Sequence, residues 1–168
     1  MKTILDKNQL HLTIQRLSHQ LLENFGDNDN TVLIGLQPRG IFLANKIVRH
    51  LQEIGYKNIS YGKLDITFYR DDIRKELHIA NQTDISFSIE DKKVILIDDV
   101  LYTGRTIRAA LDALLAFGRP QKVELCVLID RRFSRQLPIQ PDYYGKAIDS
   151  VISQKVKVDW EKEEVILF

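Results

Sequence analysis

An α/β domain with a mainly parallel central sheet flanked by helices is the predicted fold class, and three observations predict it. Strand-like and helix-like segments alternate along the 168 residues, the order that builds parallel sheets through helical crossovers. Val94 to Ile97 is an unbroken apolar run of the kind needed by a strand buried on both faces. Directly after it come two adjacent carboxylates, Asp98 and Asp99, a turn of small and hydroxylated residues, and a strong helix from Ile107 to Phe117. That arrangement puts polar groups at the C-terminal end of a strand, where open α/β sheets hold their ligands. A single domain is expected, since the length suits one core and 44% of the residues are apolar.

The first helix is read from Leu10, Ile14, Leu17, Leu21 and Phe25, which recur at three- and four-residue steps and stop near Gly26. Val32 to Leu36 reads as a short buried strand, and Ile41 to Ile54 as a helix leading to Gly55. Leu64, Ile66 and Phe68 alternate with Lys63, Asp65 and Thr67, the pattern of a half-buried strand. From Asp71 to Glu90 charged and polar residues dissolve the pattern, as in a mobile loop or a hairpin extension. Val123 to Ile129 is the next strand, and short β segments are expected around Lys155 to Val158 and Val165 to Leu167. No internal repeat, low-complexity tract or linker divides the chain.

A formal charge of +1 gives no global attraction to nucleic acid or an anionic membrane, although a local basic face stays compatible with it. The single cysteine, Cys126, lies within an apolar run and reads as a buried structural thiol, with no disulfide possible inside the chain. Asp6, Gln9 and His11 interrupt any signal-peptide core near Met1, and no apolar stretch approaches a membrane span. A cytoplasmic protein is the expectation.

The chemistry concentrates in Asp98 to Thr106. Thr103, Gly104 and Thr106 offer hydroxyls, backbone N–H groups and a helix N-terminus, together an anion site suited to a phosphate. Carboxylates do not cradle that phosphate, so hydrogen bonds from neighbouring sugar hydroxyls are the fitting task for Asp98 and Asp99. The segment reads as a binder of a phosphorylated sugar. Two plainer readings stand beside it: an acidic pair that holds Mg²⁺, and ordinary N-capping by the turn. A nucleotide P-loop is disfavoured, because the G-x-x-x-x-G-K-[ST] spacing does not occur. A second anion site is Gln37-Pro38-Arg39-Gly40, again between a buried strand and a helix start, whose plainer reading is a Pro/Gly turn with an exposed arginine. Phe68 to Asp72 opens the polar stretch, either a charged loop that closes over substrate or a solvated hairpin. His11, His19, His50 and His78 show no ligand spacing, so solvated or capping roles are expected rather than a transition metal.

The run Asp98-Asp99-Val-Leu-Tyr-Thr-Gly-Arg-Thr106 closely resembles the 5-phosphoribosyl-1-pyrophosphate (PRPP) motif of type I phosphoribosyltransferases, in the form found in the PyrR group. Ile34-Gly-Leu-Gln-Pro-Arg-Gly40, Asp65-Ile-Thr-Phe-Tyr-Arg-Asp-Asp72, Ala113 to Pro120, and Leu137-Pro-Ile-Gln-Pro-Asp-Tyr143 followed by Gly145-Lys146 extend the resemblance over nearly the whole chain. It implies the type I phosphoribosyltransferase fold, with a small hood built from terminal segments, about residues 130–150 plus the N-terminal segment, and a flexible catalytic loop over about 70–90. It also implies a displacement at the anomeric carbon of PRPP by a pyrimidine ring nitrogen, giving UMP and diphosphate from uracil.

On this resemblance Gln37, Pro38, Arg39 and Gly40 form the pyrophosphate loop, where the family has an unusual cis peptide; Thr often stands in place of Pro38. Asp98 and Asp99 anchor the ribose hydroxyls, and Tyr102, Thr103, Gly104, Arg105 and Thr106 hold the 5′-phosphate. Arg39 and Arg70 are expected to stabilise charge on the diphosphate, with Mg²⁺ bound mainly through PRPP and no direct protein ligand assigned. Leu137, Pro138 and Ile139 are expected to recognise the base. Tyr102 argues against a purine, because purine-using relatives carry an acid there. Phe133 and Ser134 replace the Gly-His that precedes this arginine in the group, and the segment is one residue longer. The alternatives are a phosphoribosyltransferase for another base, and an RNA-binding attenuator of pyrimidine genes that senses UMP or UTP. For the attenuator Arg131, Arg132, Arg135, Lys146, Lys155, Lys157, Arg16 and His19 would supply a basic face, usually across a homodimer.

Overall fold

The alternation of strand and helix resolves into eleven elements in the computed structural model, which describes residues 1–25, 30–69 and 82–168. In chain order they are β1 (Lys2–Leu5), α1 (Lys7–Phe25), β2 (Thr31–Leu36), α2 (Gly40–Glu53), β3 (Ser60–Leu64), β4 (Lys93–Leu101), α3 (Arg105–Leu114), β5 (Lys122–Arg132), β6 (Tyr143–Asp149), β7 (Val156–Asp159) and β8 (Glu164–Leu167). A central sheet takes the order β3-β2-β4-β5-β6, and a second sheet the order β1-β8-β7. Every neighbouring pair in the central sheet is parallel, as expected, while the second sheet is antiparallel.

The continuous apolar runs of β2 and β4 divide by the period of two. Leu33, Ile95 and Ile97 join the core beneath α1 and α2, whereas Val32, Ile34, Val94 and Leu96 join the core beneath α3. Both faces of the sheet are therefore covered, which is why these strands show no polar alternation. Helix α1 buries the stripe Leu10, Ile14, Leu17 and Leu21. It opens on a reciprocal box, in which Gln9 N–H donates to Asp6 Oδ1 and Asp6 N–H to Gln9 Oε1.

The strand expected through Phe68 ends earlier, at Leu64. Asp65 is the cause: its Oδ1 accepts hydrogen bonds from both the Thr67 N–H and the Thr67 hydroxyl. That local turn competes with strand pairing, and a short 3₁₀ turn follows at Thr67–Tyr69. Helix α3 begins at Arg105 rather than Ile107 and ends at Leu114 rather than Phe117. Strands β1 and β6 carry too little pattern to be read in advance. The expected strand Val123 to Ile129 runs on to Arg132. Among the described residues, no helix is long and apolar enough to cross a membrane.

Candidate active site

Strand β4 carries Asp98 and Asp99 to the C-terminal edge of the sheet, where they are 7% and 5% exposed. Buried carboxylates need donors. Asp98 Oδ1 accepts the Asp99 N–H at 2.9 Å. Asp99 Oδ2 accepts Arg39 Nε–H at 2.8 Å, and Arg39 Nη2 donates to the Val158 carbonyl at 3.2 Å. The arginine expected to meet a polyanion is thus oriented by the acid of the other motif and by β7.

The two motifs meet through Gly40. A Cβ there would collide with the Ile97 carbonyl oxygen and stand 3.0 Å from the Asp98 Cα. Only glycine lets the first turn of α2 lie this close to β4. The peptide bond entering Pro38 from Gln37 is cis. Gln37 is held from both ends, its N–H donating to the Leu64 carbonyl and its Nε2 to the Gln82 carbonyl.

Beyond β4 the chain turns over Tyr102, Thr103 and Gly104 into α3. Gly104 adopts φ +92°, and Thr103 Oγ1 accepts the Arg105 N–H at 3.3 Å. A cavity of about 300 Å³ opens over this turn, lined by Asp98, Tyr102, Thr103, Gly104, Thr106 and Gln136 among others. It brings backbone N–H groups at the helix N-terminus and two hydroxyls to one space, the arrangement an oxyanion of phosphate requires. Gln136 was not foreseen: its Oε1 accepts Arg105 Nε–H at 2.6 Å, a contact across 31 residues with no local signal.

Leu137, Pro138 and Ile139 lie against the same turn. The Gln136 and Leu137 N–H groups both donate to the Thr103 carbonyl, at 2.9 and 3.2 Å. A Cβ on Gly104 would meet Ile139 and Leu137 side chains at 3.3 to 3.4 Å. The strip itself, Leu137 to Ile139, lines a second cavity of about 680 Å³ together with Asp130, Arg135 and Tyr144, among others.

Two of the basic residues expected on an open face, Arg131 and Arg135, turn inward, and others are tied to backbone carbonyls. Arg131 is 5% exposed, with its guanidinium carbon 3.9 Å from the centre of the Tyr102 ring. Arg135 donates to the Tyr102 carbonyl, Lys146 to the Ile4 carbonyl, and Arg16 to the Gly145 carbonyl. Arg132 pairs with Asp149 and Lys157 with Asp159, both on the surface. Arg16, His19, Arg132, Lys146, Lys155 and Lys157 remain exposed.

The histidine rings of His19 and His50 meet edge-on, 5.4 Å between centres. Among the described residues, no group of three His, Cys, Asp or Glu side chains is placed to hold a metal ion. Cys126 is buried, and burial pushes its thiol up to about 12, which makes it unreactive at neutral pH. Arg70, Asp71, Asp72 and His78 lie outside the described residues.

A phosphoribosyl transferase domain model matches residues 1–163. Among solved structures, the hypoxanthine phosphoribosyltransferase of Trypanosoma cruzi superposes with a TM-score of 0.75 at 16% identity, covering 99% of this chain and 95% of that one. A hypoxanthine-guanine phosphoribosyltransferase (hpt-2) from Bacillus anthracis gives 0.69 at 21%, covering 89% and 83%. These two speak for the fold. The chain belongs to the phosphoribosyl transferase family, whose domain model spans the central sheet, the acid pair and the turn after β4. Within that family it is of the PyrR type: "Bifunctional protein PyrR" from Bacillus cereus (strain AH820) is 42% identical over 165 residues, covering 96% of this chain and 91% of that protein. The protein of the same name from Bacillus thuringiensis subsp. konkukian (strain 97-27) is equally similar.

Proposed function

We propose that the chain transfers the ribose 5-phosphate of PRPP to uracil, giving UMP and diphosphate. The observation that carries this reading is the joining of two anion loops by Gly40, which stands against Ile97 and Asp98. One loop suits a diphosphate, the other a 5′-phosphate, and the buried acids between them suit a ribose. In the reaction the C1–O bond to diphosphate breaks as a bond forms from the uracil ring nitrogen to C1, and the ring N–H proton is released. Positive charge develops on the ribose, and negative charge leaves on the diphosphate.

Asp98 and Asp99 accept hydrogen bonds from the ribose hydroxyls and fix C1 in line between base and leaving group. Asp99 and Val158 occupy Nε and Nη2 of Arg39, so the guanidinium is preorganised with Nη1 for the diphosphate. Gln37 and Pro38 present backbone to the same group. Tyr102 to Thr106 hold the 5′-phosphate, and Leu137 to Ile139 line the base. Arg70 is assigned to the diphosphate by the resemblance alone. Mg²⁺, bound mainly through PRPP, would neutralise charge on its diphosphate. A cytoplasmic homodimer is part of the same reading.

The second reading is an RNA-binding regulator, suggested by the word "bifunctional" in the relatives' name. The burial of Arg131 and the internal hydrogen bonds of Arg135 weigh against it, while Arg16, Arg132, Lys146, Lys155 and Lys157 stay exposed and weigh for it. The deciding experiment is Mg²⁺-dependent diphosphate release from PRPP with uracil, hypoxanthine, guanine, orotate or no base. Release with uracil alone supports the transferase. Saturable UMP binding without release for any base would favour the regulator, and RNA affinity falling steeply with salt would carry it.

A further inference from the structure

Arg135 makes an unusual set of contacts for a residue in a loop. Its Nη1 donates to the Tyr102 carbonyl at 2.8 Å and to the Arg131 carbonyl at 3.1 Å, and its Nε to the Ile139 carbonyl at 2.8 Å. Its Nη2 pairs with the Asp130 carboxylate, which is 10% exposed. One planar guanidinium thus ties the end of β5, the phosphate turn and the base-lining strip. Tyr102 is held a second time from the other side. Arg131 lies over its ring while donating to Ser150 Oγ at 3.0 Å and the Gln154 carbonyl at 2.9 Å. Neither arginine lines the cavity over the phosphate turn, and Arg135 shares the lining of the second cavity with Leu137, Pro138 and Ile139.

We propose that Arg135, backed by Arg131, is the positioning residue that fixes the Leu137–Ile139 strip relative to the phosphate turn, and so sets affinity for the base through that strip. The inference rests on the transferase site described above and names the residue that governs its base specificity. Only a guanidinium can do this. Its five donors in one plane reach three carbonyls and a carboxylate at once, whereas a lysine ammonium keeps the charge but not the fork. Tyr102 to Thr106 hold the 5′-phosphate, and apart from the Arg135 bond to the Tyr102 carbonyl that turn is anchored by Gly104 and α3. Losing Arg135 should therefore loosen the strip while sparing the turn.

The test compares ligands that differ only by the base. Dissociation constants for UMP and for ribose 5-phosphate are measured by calorimetry on the wild type, Arg135→Lys and Arg135→Gln. The expected result is UMP weakened about tenfold or more in both variants, with ribose 5-phosphate changed less than about twofold, since of the charged hydrogen bonds lost only the one to the Tyr102 carbonyl reaches the phosphate turn. KM for the base should rise by a similar factor while KM for PRPP holds. Arg135→Lys keeps a cation beside Asp130 and serves if the glutamine variant does not fold. Equal losses for both ligands, or no loss for either, overturn the proposal. A wild type that prefers another nucleoside monophosphate to UMP ends the uracil reading, and the same comparison is then made with that nucleotide. A wild type that binds no nucleoside monophosphate more tightly than ribose 5-phosphate overturns the positioning role.

Discussion

Asp99 serves two partners from one buried carboxylate. It orients Arg39 in the structure, and the proposed reaction asks it to receive a ribose hydroxyl as well. Replacing Asp98 and Asp99 together by asparagine preserves shape and removes both charges. PRPP affinity is expected to fall on the order of 100-fold, given about 1.5–3 kcal/mol per charged hydrogen bond, with the circular dichroism spectrum unchanged. Normal PRPP binding by that double variant would remove the acids from the ribose. Gly40 makes a different demand, one of space. Gly40→Ala forces a Cβ onto the Ile97 carbonyl oxygen and the Asp98 Cα, an overpacking that costs about 1–3 kcal/mol in stability and parts the two loops. A denaturant titration checks the first effect and PRPP affinity the second. The acids, the glycine and the arginine all stood out in the sequence, because each belongs to a short motif. The pairing of Arg39 with Asp99 did not, since 60 residues separate them and no local pattern encodes the distance.

Strands β4, β5 and β6 are pinned near the edge opposite the site by a buried acid. Glu124 accepts hydrogen bonds from Tyr143 and pairs with Lys93 and Lys122 at 2.9 and 3.2 Å. Burial pushes the Glu124 carboxyl up, but these donors outweigh it and hold the group below its ordinary value. Burial and the adjacent Glu124 carboxylate raise the Tyr143 hydroxyl. Tyr143→Phe is expected to cost about 1.5–3 kcal/mol in unfolding free energy, measured by urea denaturation, with transfer activity retained. The central strands were readable in advance where both faces are apolar, as in β2 and β4. Strand β6 was not: Tyr144, Lys146 and Asp149 face outward along it, and Gly145 packs against the Leu128 carbonyl and Thr13. At β3 the expected strand ran too far because alternation continues to Phe68, while Asp65 turns the backbone aside.

Helices α1 and α2 are tied by charge to the turn between β7 and β8. Lys7 from α1 and Lys46 from α2 reach Glu163, at 2.7 and 3.1 Å, with His11 at 3.3 Å. The hydrogen bond from Lys7, followed by that from Lys46, holds the Glu163 carboxyl at about 2, below its ordinary 4.5. A depressed carboxyl stabilises the fold fully above its unfolded value, and that contribution is lost as pH falls from about 4.5 through 2. Glu163→Gln should therefore lower the melting temperature at pH 7 and flatten its fall across that acid window. Equal slopes in the two proteins would remove Glu163 from acid unfolding. The class of fold followed from alternating strands and helices, but this union of α1, α2 and the β7–β8 turn had no sequence signature beyond scattered charges. The β7–β8 hairpin also carries Val158, which receives Arg39. Just beyond it stands Trp160, the chain's only tryptophan, 6.1 Å from the ring of Phe42 in the first turn of α2. The molecule thereby has a native fluorophore beside the first turn of α2, next to the loop proposed to bind the diphosphate. A shift of Arg39 on PRPP binding should change the emission of that single indole, letting the titration be followed in unlabelled protein.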